Sequence, residues 1–233
     1  SNVRRICART PGNPRFLVTV LDELRQHGDH FTLGALIDRL VAAPSVAALL
    51  GLVLARYEHD FEQHRPGLVA DAFRAVWAGR YGLAEAELLD LLTPGVERLP
   101  QRTWAPLHLA AEHHLVSRGG LLGFAHADVR RAVEERYLTT SEWRAASHQG
   151  LARYFASQPL GPRVADELGW QWAEAGDSAG LRATLADLAW ATTWTDLADL
   201  IGNRIGLPGG LPVAYRKMSE YTMRAMLAIT PSR

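Results

Sequence analysis

The 233-residue chain holds a single cysteine, Cys7, so an internal disulfide and a cysteine-based zinc site are both excluded, a pattern that suits a cytosolic chain. It holds a single lysine, Lys217, among 25 basic residues, and 25 acidic residues bring the formal net charge to zero. No uniform positive field is available to hold a polyanion, which argues against a general nucleic-acid role. No apolar run approaches the ~18–20 residues of a membrane span, and there is neither a signal peptide nor an initiating Met. The first residues already read as folded sequence, so a piece of something larger is expected. The phosphate-cradling pattern GxxxxGKS/T occurs nowhere, and no apolar strand ends in paired acids, so this chain alone is not expected to hydrolyse ATP. No Ser/His/Asp set stands out, and Glu134-Glu135 and Glu85/Glu87 read as solvated helix faces. No catalytic residue is assigned.

What the chain does have is helical periodicity, within 48% hydrophobic content. "NPRFLVTVLDELRQHGDH" places Phe16, Leu17, Val20, Leu21 and Leu24 on one face, opened by Pro14 and closed by Gly28. Thr32 is positioned to cap a short helix carrying Leu33, Leu36, Ile37 and Leu40. Pro44-Ser45 opens a long helix with a stripe from Val46 through Leu49, Leu50, Val53, Leu54 and Tyr57 to Phe61, stopping near Arg65-Pro66. A further helix carries Leu68, Val69, Ala72, Phe73, Val76 and Trp77.

The middle changes character. A short helix follows a tight turn at Gly82, and "PQRTWAPLHLAAEHHLV" reads as another. In "LVSRGGLLGFAH" two apolar runs flank Arg118-Gly119-Gly120, the composition of a tight hairpin. Three helices and a hairpin are the order of a winged helix. Beyond it come a helix capped by Ser141 and a helical pair turning at Gly176-Asp177, which suit the start of an α-solenoid without a clean repeat period. The fold class expected is mainly α: a helical domain over 1–65, a winged helix over 66–138, and a helical-repeat-like region over 139–233 with a Gly/Pro-rich loop near 202–212 and a last helix beyond it. The tryptophans Trp143, Trp170, Trp172, Trp190 and Trp194 fall in that last region and read mainly as helix packing, with an exposed partner-binding face as the other reading.

Three segments in order, "GNPRFLVTVLDELRQHG", "VLARYEHDFEQHRPGLVADAFRAVWAGRYGLAEAELLDLL" and "FAHADVRRAVEERYL", resemble NACHT-type STAND NTPases. These signal-transduction ATPases are related to AAA+ proteins and include the group around nephrocystin-3 and telomerase-associated protein 1. "VADELGWQWAEAGDSAGL" is similar to the segment that follows the winged helix there. The resemblance spans about residues 11 to 190. It implies a regulatory fragment lying C-terminal to an ATPase core, with ADP or ATP and Mg held in the full-length protein and no tight nucleotide binding by this piece. Pro14, in Gly12-Asn13-Pro14, would lie against the adenine. His126 would touch the β-phosphate of ADP from a motif like Met-His-Asp and hold a closed state. Arg130 keeps the motif's basic residue, while Ala127 stands where the aspartate usually follows and Asp128 comes one later. The partners implied are the protein's own core and C-terminal sensor repeats, with homo-oligomerisation or an effector protein on activation.

His126 has a plainer reading as a capping or packing histidine beside the wing. A proline opening a helix is equally ordinary. The helix expected to face DNA, Thr103 to Val116, carries no Arg or Lys, so docking onto protein is favoured over base readout. His113 and His114 are adjacent and point about 100° apart on a helix, while His108 and Glu112, four apart, make only two ligands, so no metal site is assigned. A helical scaffold that binds a protein or peptide is the alternative function, and a winged-helix DNA regulator the weakest.

Overall fold

The computed structural model describes residue 6 and residues 13–93, 99–159 and 161–186. Gly12, Cys7, Lys217, Trp190, Trp194, the loop near 202–212 and the last expected helix lie outside the described residues. Ten helices and three short strands make up the described part, so the chain is mainly α with one small antiparallel sheet. It divides into two compact units, Ser1–Trp77 with Tyr81–Thr139, and Ala78–Arg80 with Thr140–Arg233.

In the first unit, α1 spans Pro14–Gln26, α2 Leu33–Val41, α3 Val46–Phe61 and α4 Leu68–Ala78. Asn13 caps α1, its Oδ1 accepting from the Arg15 and Phe16 amides at 3.1 and 3.3 Å. The buried face of α1 is Phe16, Thr19, Val20 and Glu23, turned away from the expected apolar stripe, and Val18 and Leu21 are exposed. The rotation follows from charge: Arg56 of α3 grips Glu23 through both carboxylate oxygens at 2.7 and 2.8 Å, which draws the acid inward. Thr32 precedes α2 but makes no side-chain cap: its backbone is helical, at φ −96° and ψ −3°, not extended as a cap requires, and its hydroxyl donates to Asp29 Oδ2 at 2.8 Å. Ser45 does cap α3, and Val46, Leu49, Leu50, Val53, Leu54 and Tyr57 are buried as the stripe requires. The helix stops at Phe61 rather than at Arg65-Pro66. Glu62 leaves it to accept from the Gly67 and Val69 amides at the start of α4.

Next come β1 at Leu83–Ala84, α5 at Glu85–Leu91, α6 at Gln101–Ala110, β2 at Leu115–Arg118, β3 at Leu121–Phe124 and α7 at Ala127–Tyr137. The sheet order is β1-β3-β2, antiparallel throughout, with Leu83 opposite Leu122 and Leu115 opposite Phe124. With α4, α5 and α6, this is the winged-helix arrangement. Gly119 and Gly120, at φ 59° and 81°, make the two-residue hairpin turn that needs positive φ twice. Gly82 has φ 100°, and a Cβ there would collide with the Leu122 carbonyl, so β1 can approach β3 only through a glycine. The unit's centre is apolar. Trp104 is fully buried with its indole N–H on Glu85 at 2.9 Å, and Phe73 stacks on Phe124. α3 and α7 pack together, joined by Arg136 gripping Glu58 at 2.6–2.7 Å and by the Tyr137 hydroxyl on the same carboxylate.

In the second unit, α8 spans Ser141–Ala156, α9 Pro162–Glu174 and α10 Ser178–Ala186. The cap of α8 is Thr140 rather than Ser141, its Oγ1 accepting from the Trp143 amide. Gly176, at φ 68°, and Asp177 make the turn of the helical pair, and Asp177 Oδ1 caps α10. Gly180 lies where a Cβ would come 2.7 Å from the Trp172 ring, so a bare backbone packs on that indole. This unit buries polar groups at the centre of its helical pair. Gln171 accepts from His148 Nδ1 at 2.8 Å and donates to Glu167 Oε2 at 2.8 Å and to the Ala78 carbonyl at 2.9 Å. Glu167, fully buried, also pairs with Arg163 at 2.9 Å.

Candidate functional site

The sequence separates Pro14 from His126 by more than 100 residues, and the fold brings their neighbourhoods together inside the first unit. Pro14 is the first residue of α1, fixed by the Asn13 cap. His126 is the N-cap of α7, in extended conformation at φ −147°. Arg15, next to Pro14, meets Asp128, two residues after His126, with Nη1 to Oδ2 at 2.5 Å. Two helix N-termini are thereby joined by one partly exposed ion pair. Asn13, Pro14, Arg15, His126 and Ala127 are all exposed.

The two termini differ in what they still offer. Asn13 Oδ1 already satisfies the first amides of α1. His126 makes no side-chain cap on α7; the Val129 amide donates to the His126 carbonyl at 3.2 Å, and the amides of Ala127 and Asp128 before it point out of the helix end. An exposed imidazole beside uncapped amides suits the edge of an anion, and Arg15, paired with Asp128, brings a cation to the same helix end. Asp128 opposes it, since a bound anion would compete for Arg15. These residues fit a phosphate only if that pair loosens. The offset of the aspartate from the resembled motif thus has a structural meaning: Asp128 holds α1.

Arg130 is committed elsewhere. Its Nη1 donates to the Trp77 carbonyl at 3.0 Å, its Nε faces Glu134 at 3.3 Å, and its guanidinium lies 4.9 Å over the Trp77 ring. Burial lowers its pKa, with Glu134 acting the other way. It therefore ties α7 to α4, a role that its position four residues after the histidine did not disclose. Sequence reasoning also missed Arg15. Its signal was there as the basic residue after a helix-opening proline, but only the fold supplies Asp128.

The second surface worth weighing is α6, the helix that a DNA-reading winged helix would lay in the groove. It runs from Gln101, two residues before the span expected to face DNA, and so includes Arg102, but it stops at Ala110, short of Val116, and its other exposed positions include Ala105, Pro106 and Leu109. Leu109 is 69% exposed. One arginine is a small phosphate-binding complement. His113 and His114 fall in the turn after α6, not on it, and among the described residues no three His, Cys, Asp or Glu side chains gather as a metal site would need. No helix among them is long and apolar enough to cross a membrane.

The chain is similar to long repeat proteins. It is 30% identical over 182 residues to a TPR repeat-containing protein of Dictyostelium discoideum, covering 78% of this chain and 11% of that protein. It is 26% identical over 204 residues to tetratricopeptide repeat protein 41 of Rattus norvegicus, covering 72% of this chain and 16% of that protein. A mouse NACHT domain- and WD repeat-containing protein 1 matches at 34% over 116 residues, 41% of this chain and 7% of that protein. The chain thus spans less than a fifth of each of these relatives. No family model and no solved structure matches.

Proposed function

We propose that this chain is a protein-docking segment of a long multidomain polypeptide, a helical scaffold and not a catalyst. The observation that carries this reading is its likeness, over 78% of its length, to a TPR repeat-containing protein of which it makes up 11%. Helical-repeat proteins expose extended faces that bind other chains. The exposed Ala105, Pro106 and Leu109 on α6 and the half-exposed Trp143 on α8 supply apolar contact in the two units separately. A winged helix built to read DNA would place cations on α6. A gel-shift series at low ionic strength would detect that weaker reading. Hydrogen exchange on the full-length polypeptide tests the docking reading. The amides of α6 and α8 should gain protection through docking, and Leu109→Arg should remove the gain at α6 without unfolding the sheet. An α6 that exchanges equally in both proteins would defeat it.

The second reading is a nucleotide-gated switch, favoured by the Arg15–Asp128 pair and by the match to a NACHT domain- and WD repeat-containing protein. ADP, held by a core elsewhere in the polypeptide, would lay its adenine against Pro14 and its β-phosphate against His126. Exchange for ATP with Mg would release α7 and let the protein oligomerise or engage an effector. Such a switch requires the nucleotide to bind the two states with different affinity. Calorimetry of ADP on the full-length polypeptide tests it. His126→Ala should weaken binding on the order of tenfold, the worth of one charge-assisted hydrogen bond. Binding that ignores the substitution leaves His126 a structural N-cap residue.

A further inference from the structure

His114 lies outside both of these readings, and its surroundings in the first unit are unusual for a histidine. It closes the turn between α6 and β2. Its amide donates to Ala111 at 2.8 Å, and its carbonyl accepts from Ala125 at 3.0 Å, the bond that shuts the base of the β2–β3 hairpin. Its half-buried ring lies 6.3 Å from the Tyr57 ring of α3, and the Tyr57 hydroxyl donates to the Ala110 carbonyl at 2.7 Å, one turn before. The backbone of His114 therefore joins the end of the groove-type helix to the base of the wing, and its ring packs on the longest helix of the unit through Tyr57.

The charges facing this ring are mostly of the wrong sign for a cation. Arg56 comes from α3, His126 from the N-cap of α7 and His113 from the same turn, while only Asp22 of α1 acts in favour of charge. Glu23, the other acid of α1 near Arg56, is gripped by that guanidinium. Burial, then His113, with Arg56 and His126 behind it, pushes the His114 pKa down to about 4.

We propose that His114 is an acid-sensitive latch: its neutral ring holds the turn between α6 and the hairpin against α3, and its protonation releases that turn and the wing. Asp22 is the charge that favours the cation that forms, against His113, Arg56 and His126, and in the opened state the cation meets water. Leaving the Tyr57 face also exposes the His114–Ala125 bond to solvent, so the hairpin base opens with it. The folded pKa lies below the ordinary histidine value of 6.5, so the closed state is fully favoured above that value and loses ground as pH falls from there towards about 4. The latch concerns the wing itself and holds whether the segment docks proteins or responds to nucleotide.

The test is an NMR and hydrogen-exchange titration of the whole 233-residue chain, with labelled histidines assigned by His114→Gln. The expected result is a His114 resonance titrating well below the exposed histidines. Between pH 7 and pH 5 the protection factors of amides 110–125 should fall on the order of tenfold more than those of α3 and α7. His114→Gln should flatten that difference. A His114 that titrates with the exposed histidines would overturn the proposal. So would wing protection that falls only in step with the whole unit, or an unchanged pH response in the glutamine variant. If the variant does not fold, the wild-type titration and the segment comparison still decide.

Discussion

The two units handle buried polarity in opposite ways. The first keeps its centre apolar, around Trp104, Phe73, Leu49 and Val133, and confines its ion pairs to seams where one partner reaches water, as in Glu23–Arg56 and Glu58–Arg136. The second places a carboxylate at the middle of its helical pair and continues it inward through buried polar side chains, Glu167 to Gln171 to His148, with Arg163 at the wet end. A seam pair can rewet when it breaks, whereas a buried chain of polar groups has no such recourse. The first unit should therefore tolerate charge removal, and the second should not.

The sharpest way to break that contrast is to remove one carboxylate from each unit. Glu167→Ala takes a fully buried acceptor from Gln171 and from the Arg80 amide, while Arg163, 28% exposed, can turn to water, and is expected to destabilise the second unit by about 3 kcal/mol. Glu58→Ala removes a pair whose arginine is 34% exposed and should take away about 1 kcal/mol. Urea unfolding followed by segment-resolved exchange separates the two, and equal losses would mean that burial does not govern these pairs. Between these falls Gly82→Ala. A methyl group there meets the Leu122 carbonyl at positive φ, so a loss of about 2–3 kcal/mol is expected, confined to the β1 edge of the sheet. A variant that keeps native protection at Leu122 would show that the strand can shift to make room.

The same contrast explains what could be read in advance. The stripe of α3 is legible because an apolar surface repeats with the helical period, and every residue from Val46 to Tyr57 on it is buried. The Gly119-Gly120 turn is legible because only glycine takes positive φ freely twice in a row. Strand β1 was missed: two residues carry no period, and their pairing with Leu121 and Leu122 is visible only in space. The rotation of α1 was missed because a glutamate counts as a surface residue until its arginine is found 33 positions away. At the candidate site, Pro14 and His126 were reachable through resemblance to a family. Arg15–Asp128, which joins their helices, was not, since no local pattern links residues 113 apart. The Glu167 network failed for the same reason: each member is an ordinary helix residue until its partners are known.

Helix caps sharpen the lesson at smaller magnitude. Asn13 and Thr32 hold equivalent sequence positions before α1 and α2, but only Asn13 accepts helix amides. Asn13→Ala should cost about 1 kcal/mol and fray α1 beside the Arg15–Asp128 pair. Thr32→Ala should act on the Asp29 turn instead, leaving the stability of α2 nearly unchanged. Amide exchange in the first turns of α1 and α2 gives both readings in one experiment. Equal fraying would mean that cap preference, not the bond itself, sets these ends.

The smallest expected effect is in acid, where the units should move in opposite directions. The Arg136 hydrogen bonds, against the burial, hold the Glu58 carboxyl below its ordinary value of 4.5. A lowered carboxylate contributes stability that is present above the unfolded value and lost as pH falls through the folded one. Asp166 on α9 is the reverse case. Burial raises it above 3.8, with Arg80 and Arg163 opposing, so its contribution is complete below the unfolded value and lost as pH rises through the folded one. Below roughly pH 5 the α3–α7 seam should lose protection, by no more than about 1 kcal/mol for a pair this exposed. Over the same range the Asp166 penalty on α9 should fade. Glu58→Gln should flatten the first trend and Asp166→Asn the second, each without touching the other. If Asp166→Asn brings no gain in α9 protection at neutral pH, then water reaches that carboxylate, and the burial that distinguishes the second unit is limited to Glu167 and the residues bonded to it.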